Sequence, residues 1–328
     1  MARPKVYITR KLPEEALAIV QAACEVTMWD NEATPVPRDV LLDAVGEVDG
    51  MLTLLTERVD GALLDAAPHC KVVANMAVGY DNVDVAELTR RRVLLTNTPG
   101  VLTETTADLV WALMLATARR VVEGQVAITN GEWKTWSPMF MTGYDVFGAT
   151  LGIVGAGRIG AAVARRAAGF QMPILYHNRR PSPELEAEVG ARYCSLDELL
   201  QTADFIAVLV PLSNETRGMF GAREFALMKP TSVFVNASRG PVVKELELVE
   251  ALKQGRPWAA GLDVFEREPI GADHPLVGIP NATIVPHIGS ATVRTRIRMA
   301  TLAAQNVVAA LTGAGAPNPV NPEVLRST

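Results

Sequence analysis

The sequence predicts an α/β protein of two parallel-sheet domains, and three observations carry that expectation. The chain has 328 residues, roughly twice the ~150 of an average domain, so two cores are expected. Short β-rich runs alternate with amphipathic stretches along most of it, the pattern of strands joined by crossover helices. Near the middle of the chain a glycine-rich turn, GAGRIG at 155–160, sits between one such strand and one such helix.

The elements follow in order. Residues 1–98 hold strands at 5–9, 25–29, 49–54, 71–76 and 93–96, with helices at 13–22, 38–45, 61–66 and 83–91 between them. Pro13 suits a first helical turn, and Glu14 and Glu15 then meet the positive end of the helix dipole. A long, strongly apolar helix is expected over 103–123, capped by Thr103, carrying Arg119 and Arg120 towards its end and buried on most sides. A second βα series starts with a strand at 150–154. It continues through strands near 174–177, 192–194, 205–210, 232–236, 259–263 and 283–285. The last helix, 291–311, places Val293, Ile297, Ala300, Ala304, Val307 and Leu311 on one stripe and stops before Gly313, leaving a Pro-rich tail.

Composition excludes several classes of function. Apolar residues make up 49% and charged residues 20%, enough for buried cores and too apolar for disorder. With 31 Lys and Arg against 36 Asp and Glu the net charge is −5, and no block of like charge offers a footprint for nucleic acid. No apolar run approaches the ~18 residues that span a bilayer, and residues 1–10 lack the core of a signal peptide, so no membrane partner and a cytoplasmic location are expected. Cys24, Cys70 and Cys194 lie far apart without a CxxC, against both disulfides and a zinc site; they read as small core residues, and no metal is expected.

The glycine turn has the context of a dinucleotide fingerprint. Gly155 allows the tight turn, Gly157 lets backbone approach a pyrophosphate, and Gly160 permits close packing of the helix on the strand, while Ala156, Arg158 and Ile159 complete the loop and open a helix over 159–168. The free N–H groups of that helix suit phosphate. About 20 residues on, where NAD enzymes keep an acid for the ribose hydroxyls, the chain reads His177-Asn178-Arg179-Arg180. Two guanidinium groups suit a 2′-phosphate, so NADP(H) is expected as the cofactor, with NAD(H) weaker; the alternative is a solvated basic turn before Pro181.

Three further strings lie beyond carboxyl ends of strands, where open parallel sheets bind ligands. They are Asn236-Ala237-Ser238-Arg239-Gly240, Glu266-Arg267-Glu268-Pro269 and Pro286-His287-Ile288-Gly289-Ser290. Singly, Arg239 reads as a surface ion pair, Glu268 as a loop acid and His287 as a core histidine. Placed together behind a cofactor loop, the three point to a catalytic set.

These residues carry a resemblance. GAGRIG, NASRG, the acid of EREP and PHIGSAT, with VPLSNET at 210–216 and NMAVGYDNVD at 75–84, occur in order and with the spacing of the D-isomer-specific 2-hydroxyacid dehydrogenases. WKTWSP at 133–138, Gly143-Tyr144 and HIGSATVRTR are most similar to the glyoxylate/hydroxypyruvate reductase branch. The resemblance spans nearly the whole chain. One departure is Lys244, where the family often has an acid, which puts the start of the following helix in doubt.

The resemblance implies two doubly wound domains, a Rossmann cofactor domain (99–290) inserted into a flavodoxin-like substrate domain (1–98 and 291–328). It implies that Arg239 binds and polarises a small 2-oxo acid, that His287 is the general acid, and that Glu268 fixes the imidazole tautomer and favours its protonated form. It places Val210, Pro211, Thr216, Ala237, Ser238, Asp263, Gly289 and Thr106 about the cofactor, with Val78, Gly79, Leu54, Ser290 and Trp136 about the substrate. Domain closure would complete the site. A homodimer with Trp136 reaching across is implied too, against plain loop packing of Trp133 and Trp136. Two other readings stay open. One is a dehydrogenase of D-lactate or phosphoglycerate type, though 51–56 holds no basic residue for a phosphate. The other is a dinucleotide-sensing corepressor; those carry partner-recruiting tails, whereas this chain ends soon after its final helix.

Overall fold

Five parallel strands form the first sheet: β1 (Lys5–Ile8), β2 (Glu25–Met28), β3 (Gly50–Thr53), β4 (Val72–Asn75) and β5 (Leu94–Thr96). Their order is 2-1-3-4-5, the flavodoxin-like winding. The computed structural model describes residues 2–325, and the chain divides into two compact units, Met1–Leu102 with Ala291–Thr328 and Thr103–Ser290.

Every residue of β3, β4 and β5 is buried. Covering both faces of a parallel sheet demands such unbroken apolar runs. Two of the connecting helices, Gly61–Ala66 and Val85–Arg90, start where a short polar side chain takes an orphan N–H: Asp60 accepts from Leu63 N and Asp84 from Glu87 N. The final helix runs Val293–Thr312, two residues later than expected, because Thr292 stays extended and turns its hydroxyl to Thr295 N. Gly313 ends it at φ 79°. Its buried stripe packs on β3, β4, β5 and the helix Glu14–Ala23. The Pro-rich tail is ordered against β5: Asn321 accepts Leu95 N at 2.7 Å and donates to Val93 O at 3.0 Å.

The second sheet has β6 (Leu151–Val154), β7 (Ile174–His177), β8 (Arg192–Tyr193), β9 (Phe205–Val208), β10 (Val233–Asn236), β11 (Ala259–Leu262) and β12 (Ala282–Ile284). All pair in parallel, in the order β12-β11-β10-β9-β6-β7-β8. Counted from β6 this is the dinucleotide-fold winding, and the order reverses between β6 and β9, the switch point where such sheets take ligands.

The long helix expected over 103–123 is two helices, Thr103–Ala118 and Val121–Thr129. Arg120 breaks it by taking a left-handed conformation, φ 52°, in which its guanidinium pairs with both carboxylate oxygens of Glu123 at 2.8 and 3.0 Å. The carbonyl of Ala118 turns instead to Tyr144 N. Helix Thr103–Ala118 lies on β10, β11, β12 and the helix Arg158–Ala167. Val110, Leu113, Met114 and Ala118 are buried there, so its apolar character is accounted for inside the unit. All three cysteines are buried thiols, and burial pushes Cys70 up to about 12.

Candidate active site

The glycine loop leaves β6 at the switch point and enters the helix Arg158–Ala167. Gly155 has φ 97°, and a Cβ there would lie 2.7 Å from Leu209 C and Val210 N, so only glycine lets the loop after β9 pass this close. Around Gly157 the space is open. The first helical turn carries no acid, so its unpaired N–H groups, with those of Arg158, Ile159 and Gly160, are left for an anion. These features fit a dinucleotide pyrophosphate.

Asn178, at the end of β7, clamps this loop: its Oδ1 accepts Ala156 N at 2.7 Å and its Nδ2 donates to Ala156 O at 3.4 Å. Tyr193 braces the same turn by donating to Asn178 O at 3.2 Å. Asn178 therefore shapes the loop, while Arg179 and Arg180 are exposed beyond it. The nearby Glu215 carboxyl is held below its ordinary range by Ser213, by a backbone N–H and by the charge of Arg179. Thr216 spends its hydroxyl within its own loop, donating to Pro211 O at 2.7 Å and accepting Ser213 N at 2.8 Å.

Arg239 is aimed by its neighbours. Asn236 Oδ1 accepts both Ser238 N at 3.0 Å and Ser238 Oγ at 2.7 Å, and Asn236 Nδ2 donates to Arg239 O at 3.2 Å. A Cβ at Gly240 would overlap the Phe265 carbonyl at 1.8 Å, so the Arg239 turn sits flush against the loop that carries Glu268. That contact places Arg239 close enough for its charge to act on the Glu268 carboxyl.

Beyond β12, His287 adopts φ 50°, an unusual conformation for a side chain of its size. Asp263 imposes it. The Asp263 carbonyl accepts His287 N at 2.9 Å, its Oδ1 accepts Ile288 N at 2.6 Å, and its Oδ2 accepts Gly289 N at 2.9 Å. A Cβ at Gly289 would lie 3.0 Å from Asp263 Oδ2, tight enough that the carboxylate would have to shift slightly, and in ordinary contact with Thr106. Burial raises the Asp263 carboxyl to about 6, against the opposing pull of Ile288 N–H, the charge of His287 and Gly289 N–H. His287 Nδ1 meets Glu268 Oε2 at 2.7 Å, and Glu268 Oε1 accepts Phe265 N at 3.0 Å. Burial alone would raise Glu268, but the hydrogen bond and charge of His287, with Phe265 N–H and Arg239, bring it below its ordinary value. With Nδ1 engaged, Nε2 is the ring position left for a proton transfer.

Within this unit the structure thus brings Arg239, Glu268, His287 and Asp263 into one electrostatic cluster. Ala237, Ser238, Gly289 and Ser290 lie on the same strand-end loops. Trp136 is 80% exposed. In the other unit, Leu54 follows β3 and Val78 and Gly79 follow β4, all at the carboxyl edge of the sheet. Their loops are joined by Asn82 Nδ2, which donates to Leu54 O at 3.0 Å and Glu57 O at 2.8 Å. The doubtful helix after Lys244 does form, as Glu245–Lys253. Glu266 replaces the missing cap acid, its Oε1 accepting Glu245 N at 3.1 Å.

The sequence profile of the D-isomer specific 2-hydroxyacid dehydrogenase NAD binding domain matches residues 111–289, a span that contains the glycine loop, Arg239, Glu268 and His287. The glyoxylate reductase of Thermococcus onnurineus is 49% identical over 98% of this chain and 97% of its own length. This chain belongs to the D-isomer-specific 2-hydroxyacid dehydrogenases. Among solved structures, a Thermus thermophilus protein superposes with TM-score 0.90 at 43% identity, over 96% of this chain and 99% of its own. An NADPH-dependent glyoxylate/hydroxypyruvate reductase from Sinorhizobium meliloti, in complex with NADP and malonate, gives 0.85 at 33%, over 100% and 99%. Among the described residues of this dehydrogenase no cluster of His, Cys, Asp and Glu could hold a metal ion, and no helix is long and apolar enough to cross a membrane.

Proposed function

We propose that this dehydrogenase reduces glyoxylate, hydroxypyruvate and similar small 2-oxo acids to D-2-hydroxy acids, with NADP(H) preferred and NAD(H) the weaker cofactor. The observation that carries the reading is the Glu268–His287 pair at 2.7 Å beside Arg239, on strand ends next to a dinucleotide loop. A bound nicotinamide cofactor supplies the hydride. Residues 155–160 hold its pyrophosphate and Arg179 and Arg180 its 2′-phosphate, with Thr106, Val210, Pro211, Thr216, Ala237, Ser238, Asp263 and Gly289 around it.

The chain's own groups do the rest. Arg239 binds the substrate carboxylate and carbonyl oxygen, orients the carbon and stabilises charge growing on oxygen. His287 Nε2 gives that oxygen its proton. Glu268 keeps the imidazole in the matching tautomer and balances its charge without touching substrate. The backbone N–H groups of Val78 and Gly79 cradle the carboxylate, and Leu54 limits chain length. The similarity to proteins named glyoxylate reductase at 46–49% identity supports this substrate class.

The working form we propose is a homodimer. Its interface uses the exposed apolar residues Val121, Val126 and Ile128 of the second helix with Trp133, Trp136 and Phe147. Steady-state rates on glyoxylate, hydroxypyruvate, pyruvate and 3-phosphohydroxypyruvate, each with NADPH and NADH, test the activity. Saturable reduction of the two small acids, faster with NADPH, is expected; a preference for the phosphorylated acid, or no turnover, overturns it.

A further inference from the structure

The turn after β4 has three peptide groups whose carbonyls are each held from behind. Thr98 N donates to Ala77 O at 2.8 Å, Asn97 Nδ2 to Val78 O at 2.8 Å, and Asn75 Nδ2 to Gly79 O at 3.2 Å. In a trans peptide the carbonyl of one residue and the N–H of the next point in opposite directions. Fixing these three carbonyls therefore fixes the N–H groups of Val78, Gly79 and Tyr80. Among the described residues none of the three donates to a protein acceptor. Ala77 O and Val78 O are both held by the consecutive residues 97 and 98, so Val78 N–H and Gly79 N–H are both turned away from the end of β5.

The holders are themselves braced. Asn75 is fully buried at the end of β4, and its Oδ1 accepts Thr53 Oγ1 at 3.2 Å. The carbonyl of Asn97 accepts Asn306 Nδ2 at 3.0 Å from the final helix, and Asn306 Oδ1 accepts Asn318 N at 3.1 Å. Because the support comes from two side-chain amides and the Thr98 N–H, all anchored at sheet ends, the N–H groups need not reorient when an anion arrives.

We infer that Asn97 and Asn75 are positioning residues that preset the Val78, Gly79 and Tyr80 N–H groups as a cradle for the substrate carboxylate. This rests on the proposed reduction of 2-oxo acids and adds Tyr80 N–H as a third donor. The asparagines act through the backbone and do not touch substrate.

The test uses oxalate, a non-reducible dicarboxylate, titrated into the NADPH complex, beside glyoxylate kinetics. Asn97→Ala leaves Val78 O to water, whereas Asn97→Asp keeps the shape but turns an acceptor towards that carbonyl and drives the peptide to flip. The oxalate Kd and glyoxylate KM should rise roughly tenfold in Asn97→Ala, the cost of about one hydrogen bond, and further in Asn97→Asp. NADPH affinity and Tm should hold, with kcat moving less than KM. Asn75→Ser, in which a hydroxyl is too short to reach Gly79 O, should act like Asn97→Ala. Unchanged oxalate Kd in the Asn97 variants overturns the proposal, as does equal loss in kcat and KM with a lowered Tm. A wild type that binds oxalate but reduces no 2-oxo acid removes the activity and leaves the cradle; a wild type that does not bind oxalate removes the cradle.

Discussion

Asp263 fixes the backbone that carries His287: its carbonyl takes the His287 N–H at 2.9 Å while its two carboxylate oxygens take the next two N–H groups, at 2.6 and 2.9 Å. An amide offers one acceptor where the carboxylate offers two, so Asp263→Asn leaves Ile288 N or Gly289 N facing an NH2 group. We expect kcat to fall at least tenfold through a misplaced imidazole. A variant with wild-type kcat would show that the two N–H bonds do not orient His287.

The same residue makes a stability prediction. Burial raises the Asp263 carboxyl from 3.8 to about 6 in the folded chain. A raised acid favours the folded state while protonated, so its contribution is fully present below about pH 4 and is lost as pH rises through 6. The wild type should therefore lose stability against Asp263→Asn between pH 4 and 6, by up to roughly 3 kcal/mol. Parallel denaturation curves across that range, with a constant gap, would contradict the assignment.

Removing the acid partner gives a different signature. In Glu268→Gln the His287 ring keeps a hydrogen-bond acceptor and loses the ionised group whose own pKa is depressed by that contact. The charge that His287 takes up is then no longer balanced, and kcat for reduction should fall about tenfold or more while NADPH binding holds. His287→Ala should cost roughly 10²–10⁴ in kcat with NADPH binding nearly intact. An unchanged kcat in the first variant would uncouple the pair, and a loss below tenfold in the second would point to another proton donor.

Much of this was legible before the structure, and what was not has physical causes. The βα alternation specifies both sheets because a parallel strand must be apolar on two faces, as β3 to β5 and β9 to β10 are. The break at Arg120 was hidden, since arginine is a good helix former and the contacts that favour the left-handed turn, with Glu123 and with the backbone near Thr142 and Tyr144, show only in the fold. The tail after Gly313 shows only its prolines in the sequence, and Asn321 pins it to β5 through a contact 226 residues away. At the site, Arg239, Glu268 and His287 stand out because charged residues just past strand ends have few structural reasons to be there. Their supports, Asn236 and Gly240, carry no such signal, because an asparagine or glycine in a turn is ordinary until its partner is known.

The proposed preference for NADP(H) rests on Arg179, which is exposed beyond the Asn178 clamp and within electrostatic reach of Glu215. The acid lies close enough to oppose a phosphate, so the arginine has to outweigh it. Arg179→Ala should raise the KM for NADPH about tenfold or more and leave that for NADH nearly unchanged. Glu215→Gln should do the reverse, improving NADPH. Equal effects on both cofactors, or a wild-type preference for NADH, would refute the NADP(H) assignment.

The stretch from Val121 to Phe147 carries several exposed apolar side chains. Helix Thr103–Ala118 finds its cover inside its own unit, so the case for a dimer moves to the residues after Arg120. There Val121, Val126, Ile128 and Trp133 are each at least half exposed and Trp136 is 80% exposed. In the same stretch Val146 is buried, and the half-covered Tyr144 ring packs edge-on against Trp258. So many large apolar side chains on one continuous segment exceed what monomers usually leave in water. A symmetric dimer would bury the same patch on both copies. Within it, Trp136 is proposed to reach the partner's substrate pocket and to select small 2-oxo acids by filling space at the far end of the substrate. Light scattering should give twice the 35.2 kDa chain mass, and Ile128→Asp with Val126→Asp should shift it towards one. Trp136→Ala should keep the dimer while improving longer 2-oxo acids relative to glyoxylate, by up to the ~10–200-fold that one methylene-sized change can give. A fully active monomer refutes the interface, and an unaltered substrate profile in Trp136→Ala refutes the action across it.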